Sequence, residues 1–247
     1  MSELLNALVL SAVQAITEFF PISSSAHLHL LNSWGISVGA DHTFSCLTSL
    51  GSGMALLCFF FSRLFRPFSW HLLTLIAFAT LPLILIGPVL HQLTKNHLHS
   101  STTTGISLIL GGVLFFFIDA RQGAKQALPS AKQAVYIALS QLLALIPGVS
   151  RSGATIATGL CTGLSRKAAV EFSFLLAIPT LLGAGVHELI CKEGLEHLNA
   201  TTMSVGLLGT CALSLLVIGP CLRLIERVGL FPFGCYRIVL GFLVIMY

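Results

Sequence analysis

The sequence predicts an all-α integral membrane protein built as an inverted-topology repeat, with six transmembrane helices and two re-entrant helix hairpins. Three observations carry that expectation. The 247-residue chain is 55% hydrophobic and only 9% charged, with a mean hydropathy of +0.92, where a soluble domain carries about 25% charged residues. Two apolar stretches are each interrupted by a proline break, Phe20-Pro21-Ile22-Ser23 and Ile146-Pro147-Gly148-Val149. Ionisable side chains stand beside both breaks: Glu18 and His27 at the first, Arg151 at the second. A charge at membrane depth costs about 3 kcal/mol or more and marks function by default. Broken helices at matching points of two half-chains mark a site built between inverted repeats.

Apolar stretches separated by polar or Pro/Gly punctuation fall near 4–20, 22–34, 43–62, 70–91, 104–119, 132–146, 152–163, 169–190, 202–222 and 230–247. Several reach the ~20 residues that cross a hydrocarbon layer of roughly 30 Å. The stretches 22–34 and 152–163 do not. Each reads as the second arm of a re-entrant hairpin (4–34 and 132–163), a shape tolerated where protein or a water-filled cavity satisfies the broken backbone. Each half, about 1–120 and 131–247, is then a hairpin followed by three crossings, within one membrane domain spanning 1–247. An odd number of crossings turns the second half upside down. Pro21-x-x-Ser24 pairs with Pro147-x-x-Ser150, and Phe44-Ser45 with Phe172-Ser173.

Basic residues orient this arrangement. Arg63, Arg66, Arg121, Lys125, Lys132, Arg166, Lys167, Arg223 and Arg227 fall on one side; Lys95 and Lys192 fall on the other. The basic side is the cytoplasmic one, so both termini and the mouth of the first hairpin face outward. The second hairpin enters from the cytoplasm and the two tips meet near the midplane. The N-terminus, Met1-Ser2-Glu3, has no basic region and does not read as a cleaved signal peptide. The seven cysteines contain no C-x-x-C pair and read as packing residues.

The breaks carry the chemistry. Gln14 and Glu18 are four apart and share a helix face. Phe20 before Pro21 disfavours helix. Ser23, Ser24 and Ser25 then offer a cap for the next helix, with His27 one turn in. A helix start presents free N–H groups and a positive dipole end, which suits phosphate. The second break repeats the device with Gly148, whose missing side chain lets a ligand approach the backbone. Arg151 adds a planar fork suited to phosphate, and Ser150, Ser152 and Thr155 add hydroxyls. Glu18, with Gln14, offers oxygen ligands to a divalent cation, Mg²⁺ or Ca²⁺, bridging to substrate phosphates. Ser24, or a cation-bound water, is the candidate to attack phosphorus, with His27 or Glu18 handling the proton and Arg151 stabilising the developing charge. Serines in membrane helices are usually packing groups, and a lone histidine at a helix start is usually a cap. Arg151 and then Glu18 are the residues packing alone explains least. His91, His97 and His99 with Lys95 read as a solvated outward loop, and Glu188, Glu193 and Glu196 as the outward end of a crossing. Glu171 reads as a partner of Arg166 or Lys167.

Gln14-x-x-x-Glu18 and the following Phe-Pro-x-Ser-Ser-Ser-x-His27 resemble the E/Q-x-x-x-E block and serine–histidine loop of the bacterial undecaprenyl-diphosphatases, the bacitracin-resistance family. Pro147-Gly-Val-Ser150-Arg151-Ser-Gly-Ala-Thr155 is similar to that family's P-G-x-S-R-S-x-x-T block, and Glu171-Phe-Ser-Phe and Pro232-Phe-x-x-Tyr236-Arg237 are similar too. The resemblance implies a phosphatase of the bacterial inner membrane that converts undecaprenyl diphosphate to the monophosphate. That product is the lipid carrier reused in cell-wall polymer synthesis. The resemblance further implies that bacitracin competes for that substrate. It implies a divalent-cation-dependent site facing outward, with Gln14 and Glu18 as the acid pair, Ser24 as nucleophile and His27 moving the proton. It implies Ser150, Arg151 and Thr155 as phosphate binders; Ser23, Ser25, Gly148 and Ser152 around them are the further substrate-binding candidates. Gln14 stands where many members have Glu, which throws more of the cation binding onto Glu18; Ser25-Ala26 stands where Thr-Gly is common. The partners expected are the bilayer and the polyprenyl lipid, with no nucleic acid; a homo-oligomer is compatible with the sequence. The competing class is an inverted-repeat transporter or lipid flippase, since fold does not fix function.

Overall fold

The computed structural model describes residues 2–64, 70–98, 100–119, 126–191 and 198–247, without the side chains of 91–97, Glu188 and Cys191. It is all-helical, and among the described residues the one β feature is an isolated bridge between Gln126 and Leu164. The helices are α1 (Glu3–Thr17), α2 (Ser24–Ser33), α3 (Asp41–Leu64), α4 (Trp70–His97), α5 (Ser101–Asp119), α6 (Ala131–Leu142, extended by a 3₁₀ turn, Leu143–Leu145), α7 (Arg151–Cys161), α8 (Arg166–Cys191), α9 (Ala200–Val228) and α10 (Phe231–Met246). Each apolar segment of the sequence becomes one of them. Readings placed on Arg66, His99, Arg121, Lys125, Lys192, Glu193 and Glu196, and on the side chains of His91, Lys95, His97 and Glu188, lie outside the described residues.

Capping chemistry sets several of the starts. Ser2 accepts from Leu5 N at α1 and Asn199 from Thr202 N at α9. Ser130 and Gln133 form a reciprocal capping box at α6, the arrangement that satisfies two otherwise orphaned donors. Among the described residues, five helices are long and apolar enough to cross a membrane: Asp41–Leu64, Trp70–Leu90, Ser101–Asp119, Arg166–His187 and Ala200–Val228. With large apolar side chains such as Leu85, Ile84, Phe117 and Leu216 exposed, this is a multi-pass membrane protein. α10 has 16 residues, about 24 Å at 1.5 Å per residue.

α1–α2 and α6–α7 form two helix hairpins. Asn6 Nδ2 bonds Ser37 O (2.7 Å) at the foot of the first, and Gln133 Nε2 bonds Thr162 O (2.8 Å) at the foot of the second. Around them, the main core cluster gathers Leu56 and Phe60 of α3, Ile137 of α6, Ile156 of α7, Leu176 of α8 and Ile218 of α9. α10 lies along α5 through reciprocal glycines. A Cβ on Gly112 would meet Gly234 O, and one on Gly241 would meet Gly105 O. Small residues permit that close crossing where no water-driven force holds helices together.

Ion pairs fasten one end of the bundle, and they correct one expectation. Glu171 pairs with Arg63 (2.8 Å), not with Arg166 or Lys167. Arg166 instead pairs with Asp119 (3.1 Å), whose other oxygen accepts Phe231 N. The packing of α8 along α3 brings Arg63 to Glu171, a relation that neighbouring sequence positions do not contain.

Candidate active site

Both hairpins turn at a serine held in the left-handed region. Ser23 has φ 70° and Ser150 φ 59°, and they are the two non-glycine residues with positive φ among those described. Such a backbone costs about 1–3 kcal/mol and persists only where surroundings enforce it. Ser150 Oγ caps Gly153 N (3.1 Å). Ser23 makes no such cap; its hydroxyl lies 3.1 Å from Ser25 Oγ. The cap follows Pro21 by two residues and Pro147 by three. The structural counterpart of Arg151 is therefore Ser24, one position off the Ser24–Ser150 register read from the proline spacing.

These two first-turn residues converge on one carboxylate. Ser24 Oγ donates to Glu18 Oε2 at 2.6 Å, and Arg151 Nη2 donates to Glu18 Oε1 at 2.8 Å. Glu18 ends α1, and Arg151 opens α7. Gln14 Nε2 donates to Glu18 Oε2 (3.0 Å) and Ser49 Oγ (3.2 Å), so the i, i+4 relation read in the sequence is a contact. Thr180 of α8 receives Arg151 Nη1 (3.2 Å). Burial makes the ion pair consequential: removing one partner would strand the other charge away from water.

A cavity of about 140 Å³ opens at this point, lined by Glu18, Ser23, Ser24, Ser25, Ala144, Ser150, Arg151 and Ser152. Arg151 Nε is buried there with no hydrogen-bond partner. Two helix starts, a row of hydroxyls and an underused guanidinium make a cradle for an anion with several oxygens.

Of the remaining expected residues, Ser152 Oγ ties the tips by donating to Phe20 O (3.0 Å). Thr155 lies one turn deeper, 2.6 Å from Ser173 Oγ. Gly148, at φ 89°, packs against α5, where a Cβ would collide with Thr104 O. His27 stands outside the cavity lining. Its Nδ1 lies 2.7 Å from Ser23 O and its Nε2 2.7 Å from Tyr236 OH. A carbonyl can only accept, so Nδ1 carries the proton and Nε2 accepts from the tyrosine in the neutral ring.

Gln14 Oε1 is buried without a partner. Among the described residues no group of three or more His, Cys, Asp or Glu gathers. The groups there that could ligate a cation, the Glu18 carboxylate, the unused Gln14 amide oxygen and the Ser24 hydroxyl, all present oxygen. Such a set suits a hard cation completed by water and substrate phosphates.

Sequence reasoning marked the last helix and its Tyr236-Arg237 pair but gave neither residue a place at the site. Tyr236 reaches His27, and the neighbouring Arg237, 1% exposed, lies against both hairpin tips. The signal was present: an arginine within an apolar helix meets the same criterion that singled out Arg151.

The bacitracin resistance protein BacA family matches residues 7–243. A protein of Sorangium cellulosum named undecaprenyl-diphosphatase is 39% identical, covering 97% of this chain and 85% of its own. Proteins of the same name from Acinetobacter baumannii (36%; 99% and 95%) and Enterococcus faecalis (35%; 99% and 96%) are similar over nearly their full lengths. With its two motif blocks folded onto one carboxylate and that likeness running end to end, the chain belongs to the BacA bacitracin-resistance family.

Proposed function

We propose that this protein is a membrane phosphatase that hydrolyses undecaprenyl diphosphate to undecaprenyl phosphate and inorganic phosphate, returning the lipid carrier to cell-wall polymer synthesis. The observation that carries the reading is the Glu18 carboxylate, shared by the Ser24 hydroxyl and the Arg151 guanidinium inside a hydroxyl-lined cavity. The names of the relatives support it.

In the reaction that follows from this geometry, Ser24 Oγ gives its proton to Glu18 Oε2 and attacks the terminal phosphorus. The bond from that phosphorus to the bridging oxygen breaks, and the lipid monophosphate departs. Glu18 passes that proton to the departing bridging oxygen. Water then gives a proton to Glu18 and attacks the phosphoserine; the bond from phosphorus to Ser24 Oγ breaks, and Glu18 returns the proton to Ser24 Oγ as phosphate leaves. A hydroxyl 2.6 Å from a carboxylate is the nucleophile–base pairing such chemistry requires. Arg151, already 2.8 Å from Glu18, turns its free donors to the equatorial oxygens. Ser23, Ser25, Ser150 and Ser152 hold the remaining phosphate oxygens. Thr155 and Gly148 support the second tip from behind, and His27 fixes the first. A divalent cation, Mg²⁺ or Ca²⁺, would be held by Glu18 and Gln14 and would neutralise the diphosphate.

The frame proposed for this site is a single membrane domain of six crossings, α10 included, and two re-entrant hairpins, related as inverted halves near 1–120 and 131–247. The matched left-handed serines support the repeat. The basic end is cytoplasmic; both termini and the site face outward, in a bacterial inner membrane. Bacitracin competes there for the lipid diphosphate, and the protein associates with no nucleic acid. Phosphate release by the purified protein in detergent, with and without EDTA, tests the function. Release that needs no gradient supports an enzyme; its absence favours a flippase.

A further inference from the structure

Arg237 is a buried cation with no carboxylate partner among the described residues. A guanidinium carries five N–H donors, and here each faces a backbone carbonyl. Nε points to Leu108 O (3.4 Å). Nη1 points to Pro21 O (3.3 Å) and Val149 O (3.5 Å). Nη2 points to Ser107 O (3.3 Å) and Gly148 O (3.0 Å). Its charged group also sits 5.2 Å from the centre of the Phe115 ring. Three of the five carbonyls belong to the two proline breaks, one from the first and two from the second.

The peptide unit is planar and trans, so its C=O and the following N–H point in opposite directions. Holding Val149 O on the Arg237 side turns the N–H of Ser150 away from it, and Ser150 lines the cavity. The first tip is treated in the same way by the neighbouring residue: Tyr236 holds His27, which holds Ser23 O, turning the N–H of Ser24 away. Ser23 and Ser150 are the two strained serines. We propose that Arg237 is a positioning residue for phosphate hydrolysis: its fork locks the two tips in register and aims backbone N–H groups at the substrate phosphates. The proposal rests on the phosphatase reading above.

Lysine keeps the charge but offers three donors in place of five in a fixed fork. Arg237→Lys therefore separates the fork from its charge. Gly111→Ala is the second variant, because a Cβ there would collide with Arg237 Nη2 from outside the cavity. Both are assayed for phosphate release from undecaprenyl diphosphate beside the unaltered protein and Arg151→Ala. The expected result is a kcat/KM lowered roughly a hundredfold, the effect of a misplacement near 1 Å, with KM raised. Loss of folded protein alone lowers the apparent kcat and leaves KM in place. Unchanged kcat/KM in both variants, or a lower kcat at unchanged KM, overturns the positioning role. No release by the unaltered protein overturns the phosphatase reading instead.

Discussion

Ser24 and Arg151 occupy the same place on two different helices, the first residue after a left-handed serine, and they close on the two oxygens of Glu18. A hydroxyl and a guanidinium thus flank one carboxylate. The hairpin tips are joined there through polar contacts, and each of the three residues has a distinct consequence when altered.

Glu18→Gln keeps the shape and removes the base. Phosphate release is expected to fall by roughly 10²–10⁴, the range of a positioned proton acceptor, measured as initial rates on purified protein.

Arg151→Lys retains a charge and loses the fork. A fall of about 10²–10³ in kcat is expected, as for loss of a preorganised transition-state donor. Arg151→Ala loses release altogether while its circular dichroism remains helical.

Much of this was legible in the sequence, for physical reasons. The ten segments were marked because apolar runs and Pro/Gly punctuation act locally. Glu18 and Arg151 stood out because charge at membrane depth needs a reason. The register of the tips was not legible. The carbonyls at the two turns are held by His27, itself met by Tyr236, and by Arg237 of the distant last helix, contacts that sequence spacing does not contain. The Glu171 partner was misread for the same cause: Arg63 reaches it through helix packing.

On the proposed cation site, Gln14 governs how strongly the cation is held. EDTA is expected to stop turnover, and added Mg²⁺ or Ca²⁺ to restore it. Gln14→Glu, supplying a second carboxylate, lowers the cation concentration giving half-maximal rate; Gln14→Leu, removing the buried Oε1, raises it. Cation titrations of the three proteins check the order.

Asp119 acts on stability alone. Asp119→Asn weakens the tie to Arg166 and to Phe231 N, costing about 1–3 kcal/mol. The thermal unfolding midpoint in detergent falls, while kcat per folded molecule stays the same.

The most direct test of the central claim is phosphate release from undecaprenyl diphosphate by the purified protein in detergent with a divalent cation, beside Glu18→Gln. Release by the unaltered protein, lost in the variant, is the predicted result. No release from folded protein, or equal release from both, would contradict a phosphatase centred on Glu18.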